Sequence, residues 1–374
     1  MAGMVRVGII VRGGLIGLML AAYGCRSESG PASGVQTEPA AAAVQTQEDK
    51  TGPQEMQPPA AGAQVQQDQG AESKPDESQP PVDLTLRLSP GAAATYRAVV
   101  EQGKSVAWQG AASTRPAGFE DGRTENRIEM TFGQEVQTVD AAGDAVVKIT
   151  IQALKYLNRV HNKVSLDFDS TRPADQENPL ARLVGQSYQI KLSRRGDVLA
   201  IVEATEARSV VPASSAAFAM AQRLLSEDGI RERHTIPALA ALSEGQVRPG
   251  QSWGDTKSFS FSRMGSKSFE RQYTLRDVAE GEGGRLAVVE MKAIPAAGQA
   301  QGPPVTGPFA GTFDNTSDYD GRFIFDLESG RVREYSEQMR TEWVVPDPEA
   351  IRGKADPAAV KMAANWLRRI ELVK

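Results

Sequence analysis

The sequence predicts a mainly β fold: two related antiparallel curved sheets or open barrels, the second an internal repeat of the first, joined by one helix. Three observations carry this. Apolar residues recur at period two in many short segments, the pattern of strands with one buried and one wet face. Gly- and Asp-rich turns separate those segments at hairpin spacing. A single longer stretch near the middle has helical spacing instead.

Before the strands come two segments of another kind. Arg6 and Arg12 precede an uncharged, mostly apolar run over 13–23 that ends Leu20-Ala21-Ala22-Tyr23-Gly24-Cys25. A charged start, a short apolar core and small residues before a cut site mark a secretory signal. The run is shorter than the roughly 20 apolar residues a spanning helix needs. Cys25 is the only cysteine, so an intrachain disulfide and a cysteine-rich metal site are excluded. Its place at the end of the apolar run gives it one role: the lipidation site of a lipobox, with 1–24 removed as a lipoprotein signal peptide. Each buried CH₂ of the attached palmitate-type chains contributes about 0.8 kcal/mol, so two or three chains anchor stably where one does not.

Residues 26–82 contain no Leu, Ile, Phe, Tyr or Trp and consist largely of Pro, Ala, Gln, Gly, Ser and acidic residues. Such a tract buries too little to offset the entropy of ordering, so 25–82 is expected to be the lipidated cysteine plus a disordered tether. Coil statistics give it a reach of about 40 Å. The tether carries three basic and nine acidic residues and the signal two arginines; with a whole-chain charge of −5, this leaves 83–374 at about −1. A near-neutral folded part with no basic stripe argues against a nucleic-acid partner.

The strands then follow in order. Ile128, Met130, Phe132 and Val136 alternate with polar neighbours, a turn follows at Ala141-Ala142-Gly143-Asp144, and Ala145, Val147, Ile149, Ile151 and Ala153 alternate after it. Tyr188, Ile190 and Leu192 start a hairpin turned at Arg194-Arg195-Gly196-Asp197 and returning through Val198, Leu199 and Ile201. The second half repeats these events: Phe259 and Phe261, then Phe269, Tyr273 and Leu275 after a turn near Gly265, a strand over 286–294, and Phe323, Phe325 and Leu327 before Glu328-Ser329-Gly330 and Val332. Both halves open on Pro-Gly followed by an aromatic, Pro90-Gly91 before Tyr96 and Pro249-Gly250 before Trp253. Both close on an Ile…Gly-x-Val hairpin, through Gly196 and Gly330. The division is 83–212 for the first β half, 213–245 for a helical connection and 246–374 for the second β half.

In the connection, Ala217, Phe218, Ala221, Leu224 and Leu225 share one helical face, with Ser214 or Ser215 as cap and Gly229 ending the helical region. This helix is expected to cover the apolar face of a curved sheet. A short helix is predicted over 178–184 and a long Gly/Ala/Pro-rich loop over 295–312. Trp366, Arg368, Ile370 and Leu372 alternate as a final strand, with helix the alternative given the alanines of 358–364.

Little in the chain suggests chemistry. His161 and His234 are the only histidines and neither has a neighbour at metal-ligand spacing, so each is assigned a surface or strand-end place. No nucleophile elbow, Walker loop or dinucleotide fingerprint follows a strand. Asp167 and Asp169 share one face of a strand. Asp314, Asp318 and Asp320 precede Gly321 in an echo of a calcium loop, but the distal ligands are missing, and a polar turn before a strand is the plainer reading. Phe259, Phe261, Phe323 and Phe325 suit a core or the wall of a ligand cavity. The sequence thus names no catalytic, cofactor or metal residues and implies no cofactor.

Several stretches together resemble a known family. They are Leu86-Arg87-Leu88-Ser89-Pro90-Gly91 leading to Tyr96, Asn178-Pro179-Leu180 with Leu183-Val184-Gly185-Gln186-Ser187, the hairpin to Gly196-Asp197-Val198, and Val247-Arg248-Pro249-Gly250-Gln251-Ser252-Trp253. They span most of 84–335 and are similar to bacterial exported all-β proteins of unknown function, themselves predicted lipoproteins. The resemblance implies export and a β fold, and carries over no catalytic residue.

The expectation is therefore a membrane-anchored envelope lipoprotein, held by lipid at Cys25. Arg26 is not the aspartate that retains lipoproteins in the inner membrane, which favours the outer membrane, facing the periplasm. The β region is expected to be a non-enzymatic binding module for a hydrophobic ligand or an envelope protein partner, with a structural or assembly factor acting through a sheet edge as the alternative and a hydrolase third.

Overall fold

The computed structural model describes residues 79–261, 266–281, 284–296, 314–346 and 358–373. The predicted signal, Cys25, the tether up to residue 78, the turn near Gly265 and nearly all of the loop predicted over 295–312 lie outside the described residues.

The mainly β prediction holds. The strands are β1 (Val82–Asp83), β2 (Ala93–Gln109), β3 (Gly122–Val139), β4 (Ala145–Val160), β5 (Lys163–Asp169), β6 (Ser187–Leu192), β7 (Val198–Glu203), β8 (Gln246–Val247), β9 (Ser252–Ser260), β10 (Ser266–Gly281), β11 (Gly284–Pro295), β12 (Asp314–Asp326), β13 (Arg331–Pro346) and β14 (Ala359–Leu372). All but β1 and β8 form one antiparallel sheet in the order β7-β6-β4-β3-β2-β14-β13-β12-β11-β10-β9, with β5 added on β4. The chain enters at the middle on β2, meanders to one edge, crosses to the other edge, and meanders back to finish beside its start. Continuous pairing of β14 with β2, from Leu372 opposite Tyr96 to Ala359 opposite Gln109, merges the two halves into one sheet. The C-terminal alternation is a strand and the helix alternative falls away: period two in Trp366, Arg368 and Ile370 outweighs the alanines once both strand edges find partners.

The halves repeat each other in hydrogen bonds as well as in residues. At the Pro-Gly turns, Gly91 and Gly250 both have positive φ. Gly91 N–H donates to Val136 O and Val136 N–H to Ala92 O; Gly250 N–H donates to Leu275 O and Leu275 N–H to Gln251 O. Each pairing is followed by a register shift on the second strand, between Val136 and Thr138 in β3 and between Leu275 and Asp277 in β10. A bulge at the same place in both halves bends the sheet in the same sense. Strands β2 and β9 are therefore equivalent, as are β3 and β10. A strap over 84–91 laces the two equivalent hairpins together: Leu86 N–H donates to Arg194 O and Arg87 N–H to Gly330 O. Leu84 on this strap is buried to 1% exposure.

The connection differs from prediction. A short helix, α1 (Thr205–Ser209), precedes it inside the stretch assigned to the first β half, and 213–245 itself holds three, α2 (Phe218–Leu224), α3 (Glu227–His234) and α4 (Pro237–Ala240). Neither Ser214 nor Ser215 is the N-cap of α2, which starts from Ala217. Gly229 does not end the helical region. Ser226 caps a new helix by accepting Gly229 N–H at 3.0 Å, with Glu227 and Asp228 favourable in the first turn. Gly229 is needed because a Cβ there would lie 2.6 Å from Arg223 O of the preceding helix. The predicted short helix is a 3-10 turn over Pro179–Leu183, capped by Asn178.

Candidate functional site

The concave side of the sheet is filled by different means in its two halves. In the first half, Met130, Phe132, Val147, Ile149, Ile151, Tyr188 and Ile190 meet the helical connection, whose Ala221, Leu225, Ile230 and Leu239 are 0–1% exposed. His234 ends α3 inside this interface. Its ring stands edge-on to Phe132 at 4.8 Å, and its Nε2 is 2.6 Å from the Tyr188 hydroxyl, which also accepts from Arg233 Nη1 at 3.3 Å. The surface or strand-end place expected for His234 is thus corrected. It sits at the C-terminal turn of a helix whose apolar face is pressed into the sheet. Burial, then the positive charges of Arg233 and Arg368, push its pKa well below 6.5, so the ring is neutral. His161 lies where expected, exposed in the tight turn between β4 and β5 with φ of 48°.

The second half curls until its own strands meet. Phe259 on β9 lies 5.4 Å from Trp366 on β14, and Phe261 lies 5.1 Å from Trp343 on β13, ring centre to ring centre. In the strand order, four strands separate β9 from β14, so this half is an open barrel closed over its side chains. Phe259, Phe261, Phe323 and Phe325 are all buried, and they form core.

That core contains a charged group. Glu337, with 0% side-chain exposure, receives Arg271 Nη1 at 3.0 Å, Lys257 Nζ at 3.4 Å, Arg368 Nη1 at 3.5 Å and the Tyr319 hydroxyl. Arg271 also reaches Asp255 through Nε at 2.7 Å, and Lys257 Nζ lies 3.6 Å from the centre of the Trp366 ring. Burial by itself would raise the Glu337 carboxyl. The three cations outweigh it and hold the pKa at about 2. Burial lowers Lys257 to about 8 against the pull of Glu337. Arg368 also donates to Arg233 O and Thr235 O at the end of α3, locking the helical cover onto the central strand. A cation beside a helix C-terminus is favourable there.

Asp167, Asp169, Asp318 and Asp320 go to the wet face of the sheet. Asp318 and Asp320 lie within β12, not in a turn before it: Asp318 sits opposite Arg340, and Asp320 lies between Lys292 and Gln338, accepting Gln338 Nε2 at 3.2 Å. Cross-strand partners of opposite charge account for them without a cation. Asp314 begins the same strand. Asp167 pairs with Arg172 at 3.2 Å, and Asp169 with Lys155 at 3.5 Å. Hydrogen bonds from Thr171 lower the Asp169 pKa, so the pair is two separate carboxylates in ion pairs. Among the described residues, no group of three or more His, Cys, Asp or Glu side chains is placed to hold a metal.

An open surface depression of about 290 Å³ is lined by Leu86, Arg87, Asp140, Gly143 and Arg194 among others. Its lining is polar and it does not reach the aromatic core. The strands at the two ends of the main path differ; β5, off that path and paired only with β4, is a third edge. On β7, Arg231 of α3 covers the carbonyls of Val198 and Leu199. On β9, among the described residues, no main-chain hydrogen bond arrives from the side away from β10. Its outward side chains are Ser252, Gly254, Thr256, Ser258 and Ser260, all small and uncharged, while Asp255 and Lys257 point inward and are paired. The equivalent strand β2 is covered on that side by β14.

No family model matches this chain. No curated protein matches it either. Among solved structures it is similar to lipovitellin, with a TM-score of 0.35 and 13% identity over 77% of this chain, which spans 25% of the lipovitellin chain. It is also similar to OpdL of Pseudomonas aeruginosa, with a TM-score of 0.18 and 8% identity over 75% of this chain and 99% of that one. Both likenesses are too low to carry an argument about function.

Proposed function

We propose that this chain is an exported lipoprotein, anchored through Cys25, whose β domain captures an extended segment of an envelope protein partner along β9. One observation carries the reading. In a repeat where β2 is covered by β14, its equivalent β9 keeps a nine-residue edge that receives no main-chain hydrogen bond on its outer side among the described residues. Edge strands usually carry charge, proline, a bulge or a cover that blocks pairing; the two charges of β9, Asp255 and Lys257, are turned inward and taken up by Arg271 and Glu337. A partner strand added there would gain main-chain hydrogen bonds along β9, the mode of β-augmentation. The filled concave side favours this over a hydrophobic ligand, since ligand cavities are commonly about 300–1,000 Å³ and largely apolar.

Two experiments test the two parts. A photocrosslinking residue at Ser258, in cells, is expected to give a defined adduct with an envelope protein, and Thr256→Pro is expected to abolish it. Recovery of no envelope protein, or adducts indifferent to Thr256→Pro, removes the edge from the account. Cys25→Ala is expected to release the chain from membranes with loss of the lipid mass. A Cys25→Ala chain that still fractionates with membranes and shows no mass change removes the anchor.

A further inference from the structure

The open barrel of the second half carries a set of side chains that neither the core nor the β9 edge explains. Ser317 on β12 stands opposite Thr341 on β13, and their hydroxyl oxygens are 2.9 Å apart. Lys267, near the start of β10, places Nζ 2.7 Å from Ser317 Oγ and 3.3 Å from Thr341 Oγ1. Ser317 and Lys267 are partly exposed, whereas Thr341 is buried. The Trp343 ring flanks the group, 5.7 Å from Lys267 Nζ.

A hydroxyl becomes a nucleophile when a base lies within hydrogen-bond reach and a third group orients that base. Serine–lysine pairs are one known solution. We propose that Ser317 is a nucleophile for acyl esters, with Lys267 as its base and Thr341 as the positioning residue. In the first step the Ser317 Oγ–carbonyl bond forms, its proton passes to Lys267, and the ester C–O bond breaks as the alcohol leaves with that proton. Water then attacks the acyl-serine by the same route, releasing the acid and restoring Ser317. Burial lowers the Lys267 pKa to about 8, so part of it is unprotonated near neutral pH. The groups described around Lys267 are Ser317 on β12 and Thr341 and Trp343 on β13. This inference concerns a different place from the β9 edge and stands or falls independently of it.

The test uses the full chain in detergent and a fluorophosphonate probe, in which a serine oxygen displaces fluoride from phosphorus. The expected result is a single adduct mapped to Ser317, absent in Ser317→Ala, forming faster as pH rises through about 8. Lys267→Arg keeps the charge and the hydrogen bonds but does not deprotonate in proteins. It is expected to fold, by near-UV circular dichroism, and to label at least about a hundredfold more slowly. Thr341→Val is expected to slow labelling and shift its pH midpoint, with Thr341→Ser restoring both. No adduct at Ser317 in the folded protein, or an adduct whose rate survives Lys267→Arg, overturns the proposal and leaves Lys267 as a bridge between strands.

Discussion

The two halves share a Pro-Gly opening, a bulge after the same pairing and a closing glycine hairpin, yet they bury their concave faces differently. The first half stays open enough to admit four helices, and its interior is mostly aliphatic with one neutral histidine. The second closes on itself with aromatic rings and holds three cations around one carboxylate. Strand topology therefore does not dictate what fills a curved sheet. The identity of the inward residues does: small and aliphatic side chains leave room for a cover, whereas large rings and long cationic stems fill the space themselves.

The largest expected effect comes from breaking the charged core. Glu337→Gln leaves Lys257, Arg271 and Arg368 converging without their anion, and urea unfolding should show a loss of about 3–5 kcal/mol. Lys257→Met is the contrast. It removes one cation but leaves Glu337 two arginines and keeps the stem against Trp366, so a change under about 1 kcal/mol in the same measurement is expected. In the helical cover, Ile230→Ala should cost about 2–5 kcal/mol, since the side chain is fully buried between α3 and the sheet.

Acid separates the halves by pH window. The folded pKa of His234 lies below its unfolded value of 6.5, so the unfolded chain binds the proton more readily. Stability is then lost as pH falls below 6.5, at up to about 1.4 kcal/mol per pH unit. The folded pKa of Glu337 is about 2 against 4.5 unfolded, so its contribution is full above 4.5 and is lost as pH falls toward 2. Melting scans from pH 7 to pH 3 should lose their first segment in His234→Phe and keep it in Lys257→Met. Tyr188→Phe, which takes one hydrogen bond from His234, is expected to cost about 1 kcal/mol in the same measurement.

Much of the fold was legible in the sequence because period two survives wherever one sheet face is wet. Val147, Ile149 and Ile151 on β4 and the Gly196 and Gly330 hairpins lie where the pattern puts them. The predicted helix is present as α2, and a separate helix follows it because Ser226 opens a new cap where only Gly229 was weighed. The site was harder to read. Arg271 stands between Phe269 and Tyr273, Glu337 between Tyr335 and Met339, and Arg368 between Trp366 and Ile370, each in the apolar phase of its strand. A charge in that phase is the signal that was available, but which charges meet is set by the curl of six strands and has no local mark. Asp318 and Asp320 drew attention through a motif and proved to be the outward phase of β12. The Ser317, Thr341 and Lys267 group had no sequence signature, because its members come together only through the register of β12 with β13 and the turn of β10 toward them.

The difference between the guarded β7 edge and the β9 edge, which has no outer main-chain partner among the described residues, is the part of this comparison that bears on function. Amide hydrogen exchange of both strands, measured in native membranes and on the purified chain, tests it most directly. The account predicts that amides of 252–260 gain protection in the membrane sample while those of 198–203 do not change. Equal exchange of β9 in the two samples, or protection gained on β7 instead, would contradict it.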